Sequence, residues 1–473
     1  MPDVLFNQAD FDQWISQQGL FRCFLVELDY LENGEVNTLY LANAPFQTKG
    51  TDTPAHEPYD DVLFSDLQIS ESMDEFFFGS TLTRRSSIQF LSTFFVDNLL
   101  DKAFTGQQVR IYLGDKSWPK ARFKKVASWI AGSLEPDSHD YELPIRDASA
   151  PLDVKVCRTY TAGIAIGEYI PRCFGEVFNA EPVLISESNN GVYQANDGPL
   201  ISLVVKDSGL AVNATIDLVL GTFALTTAPQ GRITFDAVAS LDTCQDITTT
   251  LLTASNLTAA VNAYDALPNY TLGGYINDAR SRRDVIDICF ISCGAAWKIN
   301  NDNQLESILF NGLSGYGEKL LTEDDIEDLR VKRRILPAPM VTVNYRKNNT
   351  VQKDGLVGAA YSNVALRTAL SKEWVPALAE NNQVAVDFPE NPNITINTWL
   401  TNELDAQELA DNKALLASTL HLVWEMDVYG IALDFAIGEE IDTDFIPDLL
   451  GTAIVLKNDK NFTDGEATLE VWQ

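Results

Sequence analysis

From Gly167 to Leu200 the chain reads GEYIPRCFGEVFNAEPVLISESNNGVYQANDGPL, a β-rich passage with punctuation at every turn. Pro171, Gly175, Pro182, Gly191 and Gly198 cut it into short runs carrying Ile, Val, Phe and Tyr. β-Branched and aromatic side chains fit a pleated backbone, whereas Gly and Pro set turns and interrupt the ladder. A chain written this way folds as strands and tight loops. The passage holds no constellation suited to catalysis.

The same pattern runs through the preceding residues. Phe21–Tyr30 predicts a strand, Asn33-Gly34 the favoured two-residue turn, and Glu35–Ala42 the returning strand. Residues 47–61 are polar and Pro-containing, and predict a loop. Residues 62–78, 84–97, 121–134 and 140–146 predict further strands, with a short helix or turn around Asn98–Phe104. Gln108–Leu113 alternates cleanly through Val109, Ile111 and Leu113. Residues 1–158 therefore predict a β-barrel module, and 159–240 a small β module with strands at Leu200–Lys206, Gly221–Leu225 and Arg232–Val238.

The character changes after residue 240. Asp246–Ser255 and Leu257–Ala266 predict helices. Ser281-Arg282-Arg283-Asp284 has the form of a capping box, in which two side chains satisfy the free amides of a helix start. The run VIDICFISC follows, and Gly294 closes that helix. Residues 241–320 thus predict a helical segment ending in a hairpin of Ala295–Ile299 and Leu305–Phe310. Residues 321–473 predict a β-rich module with one long helix. Its strands are Met340–Arg346, Leu422–Tyr429, Ile431–Ile437, Gly451–Leu456 and Ala467–Trp472. Its helix is Thr401–Leu420, capped by Asn402, with Leu404, Leu409 and Leu416 on an apolar face; a shorter helix is predicted at Asn363–Leu370. The fold class is mainly β with inserted helices, in several domains, as 473 residues at roughly 100–200 per domain require.

Charge excludes one class of function. There are 67 acidic against 34 basic residues, a net charge of −33, and acid exceeds base in every third of the chain. Binding a phosphate backbone needs Lys and Arg to replace its counterions, so no sequence-specific nucleic-acid role is expected. The dense basic spots, Arg282-Arg283 and Lys332-Arg333-Arg334, are expected to pair with local acids such as Asp284 or Glu327. The acidic balance serves solubility, or a lumen that repels DNA. The opening MPDVLFNQADFDQW is acidic where a secretory signal is basic.

Candidate chemistry is sparse. Six cysteines (Cys23, Cys157, Cys173, Cys244, Cys289 and Cys293) read as reduced core residues, and three histidines (His56, His139 and His421) argue against a histidine-based site. Cys289 and Cys293 share a helix face, but no second Cys/His pair follows at zinc-finger spacing, so core packing is preferred to metal. Asp459–Glu470 nearly matches a calcium loop, yet its sixth position is Asp464 where the loop needs Gly. A hairpin turn at Asp464-Gly465 explains it better. No P-loop, dinucleotide fingerprint, nucleophile elbow or zinc-protease motif occurs. Carboxylates are abundant enough for a glycosidase pair, but their spacing in a cleft is not legible from sequence. No catalytic, cofactor-binding or metal residue is assigned. Phe76-Phe77-Phe78 and Phe94-Phe95 place adjacent aromatics on opposite strand faces, which predicts a strand covered on both sides.

Several passages, in order, resemble tail proteins of long-tailed bacteriophages. They are SSIQFLSTFFVDNLLDKAFTGQQVRIYLGD, GEYIPRCFGEVFNAEPVLI with YQANDGPL, GTFALTTAPQGRITFDAV, SRRDVIDICFISCGAAWKINNDNQL and PAPMVTVNYRKNNTVQ. They span most of Arg84–Gln352, with a weaker echo up to Trp472. The resemblance implies a structural protein of the virion, the central baseplate or tail-tip hub, needing no cofactor. That family is built from tail-tube-like β-barrels with inserted domains, and two barrels per chain let a homotrimer continue a sixfold tube. Here 1–158 would supply one barrel and discontinuous pieces after residue 300 the other. The implied partners are further copies of the chain, the distal tail protein, the tape measure and a central fibre or spike, with DNA in transient passage and assembly in the host cytoplasm. The alternatives are a distal tail ring or receptor-binding attachment component, and a tail-associated glycan hydrolase.

Overall fold

The computed structural model describes all residues except 1–7, 18, 65–66, 75–77, 86, 93–98, 138–139, 318, 354–355 and 357. The fold is mainly β, with 42% of residues in strands and 18% in helices, and it includes a curled half-barrel. The described strands form seven sheets. Among the described residues, no helix is long and apolar enough to cross a membrane.

The first large sheet has seven strands, in the order Ile145–Arg146, Lys124–Ala131, Gln108–Gly114, Cys23–Glu32, Glu35–Ala42, Pro58–Asp61 and Phe46–Gln47. The Asn33-Gly34 hairpin is present: Glu32 pairs with Glu35, and both turn residues have the positive φ that such a turn demands (53° and 85°). On Gln108–Gly114, Val109, Ile111 and Leu113 are fully buried.

The second large sheet has eight strands gathered from both ends of the chain. Lys319–Thr322, Glu440–Phe445, Thr452–Asn461, Glu466–Trp472, His421–Tyr429 and Ile326–Ile335 are neighbours in that order. Gln68–Ser72 adds onto Thr452–Asn461, and Leu82–Arg85 adds onto Gln68–Ser72. The two large sheets share one apolar core, which includes Phe11, Leu28, Phe90 and Trp129 from the first 150 residues and Met426, Phe435, Val455 and Leu469 from the last 60.

Two further cores are built mainly from the middle of the chain. The small β unit packs a five-stranded sheet (Leu210–Ala211, Ser202–Asp207, Ile233–Val238, Arg172–Ala180, Gly273–Ile276) with a four-stranded one (Val183–Ser186, Val192–Gln194, Thr222–Leu225, Ala214–Asp217). Val177, Val205, Phe223 and Phe235 are buried within it. The other core packs the helix Glu403–Leu416 on a three-stranded sheet centred on Met340–Tyr345, and includes the helices Cys244–Thr253 and Arg282–Ser292, which pack on each other.

Several expected elements take another form. Leu257–Ala266 is not helical: Asn256 adopts φ 56°, ending the previous helix, and only Thr258–Ala259 forms a strand, parallel to Gln304–Leu309. Ile431–Ile437 is not a strand, because Gly430 at φ 56° turns the chain into the 3-10 helix Gly430–Asp434. The long helix spans Glu403–Leu416 and buries Ala406, Leu409, Ala410 and Lys413, while Leu404 faces solvent. Within 47–61, where the polar composition predicts a loop, Pro58–Asp61 is a strand because it pairs with Glu35–Ala42 and Phe46–Gln47. Several other strands carried no legible signal, among them Lys319–Thr322, Val375–Glu380, Ile394–Asn397, Ile326–Ile335 and Glu440–Phe445. Ile326–Ile335 is charged along most of its length because it is an edge strand, mostly solvent-exposed, paired on one side with His421–Tyr429. Glu440–Phe445 carries three acids, Glu440, Asp442 and Asp444, among its six residues. Phe76, Phe77, Phe94 and Phe95 lie outside the described residues; Phe78 packs against the helical core.

Candidate functional site

The passages singled out in the sequence meet at one junction. Gly175 adopts φ 49°, and its N–H donates to the Leu241 carbonyl at 2.7 Å. Strand Arg172–Ala180 there pairs with Gly273–Ile276, and Gly274 lies flat against the Trp399 ring, where a Cβ would sit 2.5 Å from ring atoms. Phe174 stacks on Trp399 at 5.7 Å. One turn further, Asn179 is fully buried. Its side-chain amide donates to Asn348 Oδ1 at 2.9 Å and to the Thr350 carbonyl, and its backbone N–H donates to Asp236 Oδ1 at 2.9 Å. Asn348 in turn donates to the carbonyls of Leu370 and Lys372 at 2.9 Å. FNAEP and NYRKNNT are thus the two halves of one buried polar knot. A buried amide without partners costs on the order of 1–3 kcal/mol, so such a knot tolerates few other side chains. It ties the strand Arg172–Ala180 to the segment that follows Met340–Tyr345.

The candidate chemical residues are dispersed or engaged. Cys289 and Cys293 are buried in the helical core together with Cys244, which approaches both; burial pushes the Cys289 thiol up, and a hydrogen bond with Cys293 together with burial pushes the Cys244 thiol up. Thiols held protonated in an apolar core are poor metal ligands and poor nucleophiles. Asp459–Glu470 is a hairpin between Thr452–Asn461 and Glu466–Trp472, with Gly465 at φ 80°. Its acids hold cations of the protein: Glu470 accepts from Lys332 and Arg333 at 2.8 Å each, and Asp459 pairs with Lys457.

The basic spots find partners other than those expected. Asp284 caps its own helix, donor and acceptor both present with Ser281. Arg283 pairs with Asp153 at 2.8 Å, and Arg282 donates to Ser255 Oγ at 2.8 Å. Glu327 accepts from Tyr429 at 2.7 Å, whereas Lys332 reaches Glu425 and Glu470. Lys332 and its neighbours therefore form a ladder of opposite charges across adjacent strands.

Glu327, Asp427, Asp459 and Glu466 line an open cleft of about 280 Å³ beside Tyr429. Tyr429 donates to Glu327, and Thr468 donates to Asp427 at 2.7 Å. None of the four carboxylates is buried.

Sequence reasoning missed the charged group inside the first sheet. Glu27 is 6% exposed and accepts from Arg110 at 2.9 Å, Tyr59 at 2.8 Å and buried Lys120. Burial alone would raise the Glu27 carboxyl, but hydrogen bonds from Lys120, Arg110 and Tyr59 outweigh it and hold it below the usual range. Its only sequence trace is a pair of acids, Glu27 and Asp29, in the otherwise apolar run CFLVELDYL.

No protein-family model matches the chain, and no curated protein matches it. Among solved structures it is similar to the 43 kDa tail protein of prophage MuSo2 from Shewanella oneidensis, at 10% identity over 94% of this chain and 98% of that one, with a TM-score of 0.43. It is similar to a tail protein from Neisseria meningitidis, at 9% identity over 96% and 97% of the two chains and a TM-score of 0.43. It is also similar to a prophage tail protein from Listeria monocytogenes, at 9% identity over 95% and 94% and a TM-score of 0.44.

Proposed function

We propose that this chain is a structural protein of a bacteriophage virion, the central baseplate or tail-tip hub that continues the tail tube and forms part of the channel for tape measure and DNA. One observation carries the reading: two large sheets, one from residues 23–146 and one assembled from residues 68–85, 319–335 and 421–472, share a single core. A trimer that extends a sixfold tube needs two tube-like sheets per chain, and here each chain brings two. The modules are proposed as 1–158, 159–240, 241–320 and 321–473, with the first and last joined through that core. A net charge of −33 supports a channel from which phosphate is repelled.

The partners in this reading are two further copies of the chain, the distal tail protein, the tape measure and a central fibre or spike. Exposed Ile201, Val204, Val219 and Leu220 on the small β unit support a role in such contacts, since clustered exposed apolar residues mark interaction surfaces. Those same residues favour a second reading, a distal ring or attachment component with the small β unit turned outward. No catalytic residue and no cofactor is assigned. Electron microscopy of particles carrying a tagged copy tests the proposal. Threefold density at the distal end of the tube is expected; a peripheral position would overturn it. Adsorption blocked by an antibody against the small β unit would favour the second reading.

A further inference from the structure

Arg22 is a buried cation with no anion among the described residues. It is 6% exposed, and among the described residues no carboxylate pairs with it. Its Nη2 donates to the carbonyls of Ile15 and Gln17 at 3.3 and 3.5 Å, at the C-terminal end of the helix Gln8–Ile15. Its Nε is buried without a hydrogen-bond partner, and Nη1 makes no hydrogen bond among the described residues. The guanidinium lies against the backbone of Gly465, where any Cβ would fall 2.3 Å from it. Burial without a compensating charge pushes the guanidinium pKa down.

A cavity of about 230 Å³ opens beside this group, lined by Ser16, Gly19, Arg22, Tyr429, Asp464 and Gly465 among others. Asp464 is exposed and accepts from Asn461 Nδ2 at 2.6 Å. Position 465, where a side chain would crowd the guanidinium, is glycine. Desolvating a guanidinium is costly unless it is paired, and its planar donors match a carboxylate two-pronged. With one cation and Asp464 at the rim, the site suits a monoanion better than a phosphate dianion.

We propose that Arg22 anchors a carboxylate-binding site at the seam between the first helix and the last hairpin. The carboxylate comes either from an acidic side chain of a second copy of this chain or from a free small acid. The site does not depend on the tail assignment.

The full-length chain is tested with acetate as the probe, at matched ionic strength against chloride, and by sedimentation across a range of concentrations. A free-acid site shows as a rise in melting temperature with acetate in the wild type that is absent in Arg22→Gln. A docked side chain shows as self-association that weakens at least tenfold in Arg22→Gln and is competed by acetate. Asp464→Asn leaves Arg22 in place and removes the rim charge, so it strengthens whichever response is seen; this variant serves if Arg22→Gln fails to fold. If Arg22 only caps the helix, acetate changes neither melting nor association in the wild type and in Asp464→Asn; if it takes Asp464 as its partner in solution, acetate acts on Asp464→Asn and leaves the wild type unchanged. Either result overturns the proposal.

Discussion

At Gly175 a Cβ would lie 1.8 Å from the Leu272 carbonyl oxygen, in a backbone conformation that side chains avoid. Gly175→Val is therefore expected to destabilise the chain by at least about 2 kcal/mol, read as a lowered urea midpoint, and to hinder assembly. Normal particles from that variant would reduce the passage around it to a mere loop. The Glu27 cluster makes a pH-dependent prediction. Glu27→Gln leaves Lys120 charged in a buried site and costs about 3 kcal/mol at neutral pH. The folded carboxyl is held below its ordinary value, so its contribution is complete above about pH 4.5 and fades as pH falls through the lower folded value. Denaturant titrations of wild type and variant should thus converge on acidification; parallel curves would show that Glu27 is not the titrating group. The turn chemistry of Gly175 was visible as punctuation, whereas the Glu27 cluster was not. Its partners Tyr59, Arg110 and Lys120 lie up to 93 residues away, and only the sheet brings them together.

Among the elements, the helix Arg282–Ser292 shows how completely a local signal can be read. Ser281 accepts from the Asp284 amide, and Asp284 accepts from the Ser281 amide at 2.8 Å, both within four residues. Ser281→Ala should cost about 1 kcal/mol in chemical denaturation, with Ser281→Asn largely preserving stability. The hairpin at Asn33-Gly34 was legible for the same reason: the turn's dihedrals are a property of two residues. Ile326–Ile335 is the opposite case. Its Glu, Asp, Lys and Arg residues obey no two-residue alternation, and it is a strand because His421–Tyr429 and Glu466–Trp472 present Glu425 and Glu470 to its cations. β-Structure of this kind depends on its neighbours more than on its own composition.

For the whole molecule the decisive feature is the core shared by the two ends of the chain. Leu28, Val109 and Trp129 pack in the same cluster as Phe435, Val455 and Leu469. Asp434 reinforces the seam, paired with Lys124 from the first sheet and with Lys319 at 3.2 Å. A fragment of residues 1–158 would expose one side of that core and leave Gln68–Ser72 without its partner strand Thr452–Asn461. It is expected to bind an apolar dye and to lack a cooperative melt, whereas the full chain melts its first and last modules together. An independently cooperative fragment would show that the shared core is not needed for folding.

What the sequence determined by itself is local: the hairpin at Asn33-Gly34, the caps at Ser281 and Asn402, the mainly β class, the scarcity of catalytic motifs and the acidity. Each depends on dihedral preferences or side-chain chemistry within a few residues. Tertiary structure alone decided that Gln68–Ser72 and Leu82–Arg85 join the last strands of the chain, that Asn179 is knotted to Asn348, and that Arg22 is buried against the end of the first helix. Strand pairing across hundreds of residues is chosen by complementary faces and by backbone groups left unpaired at sheet edges. Neither leaves a periodic trace in the segment that is recruited.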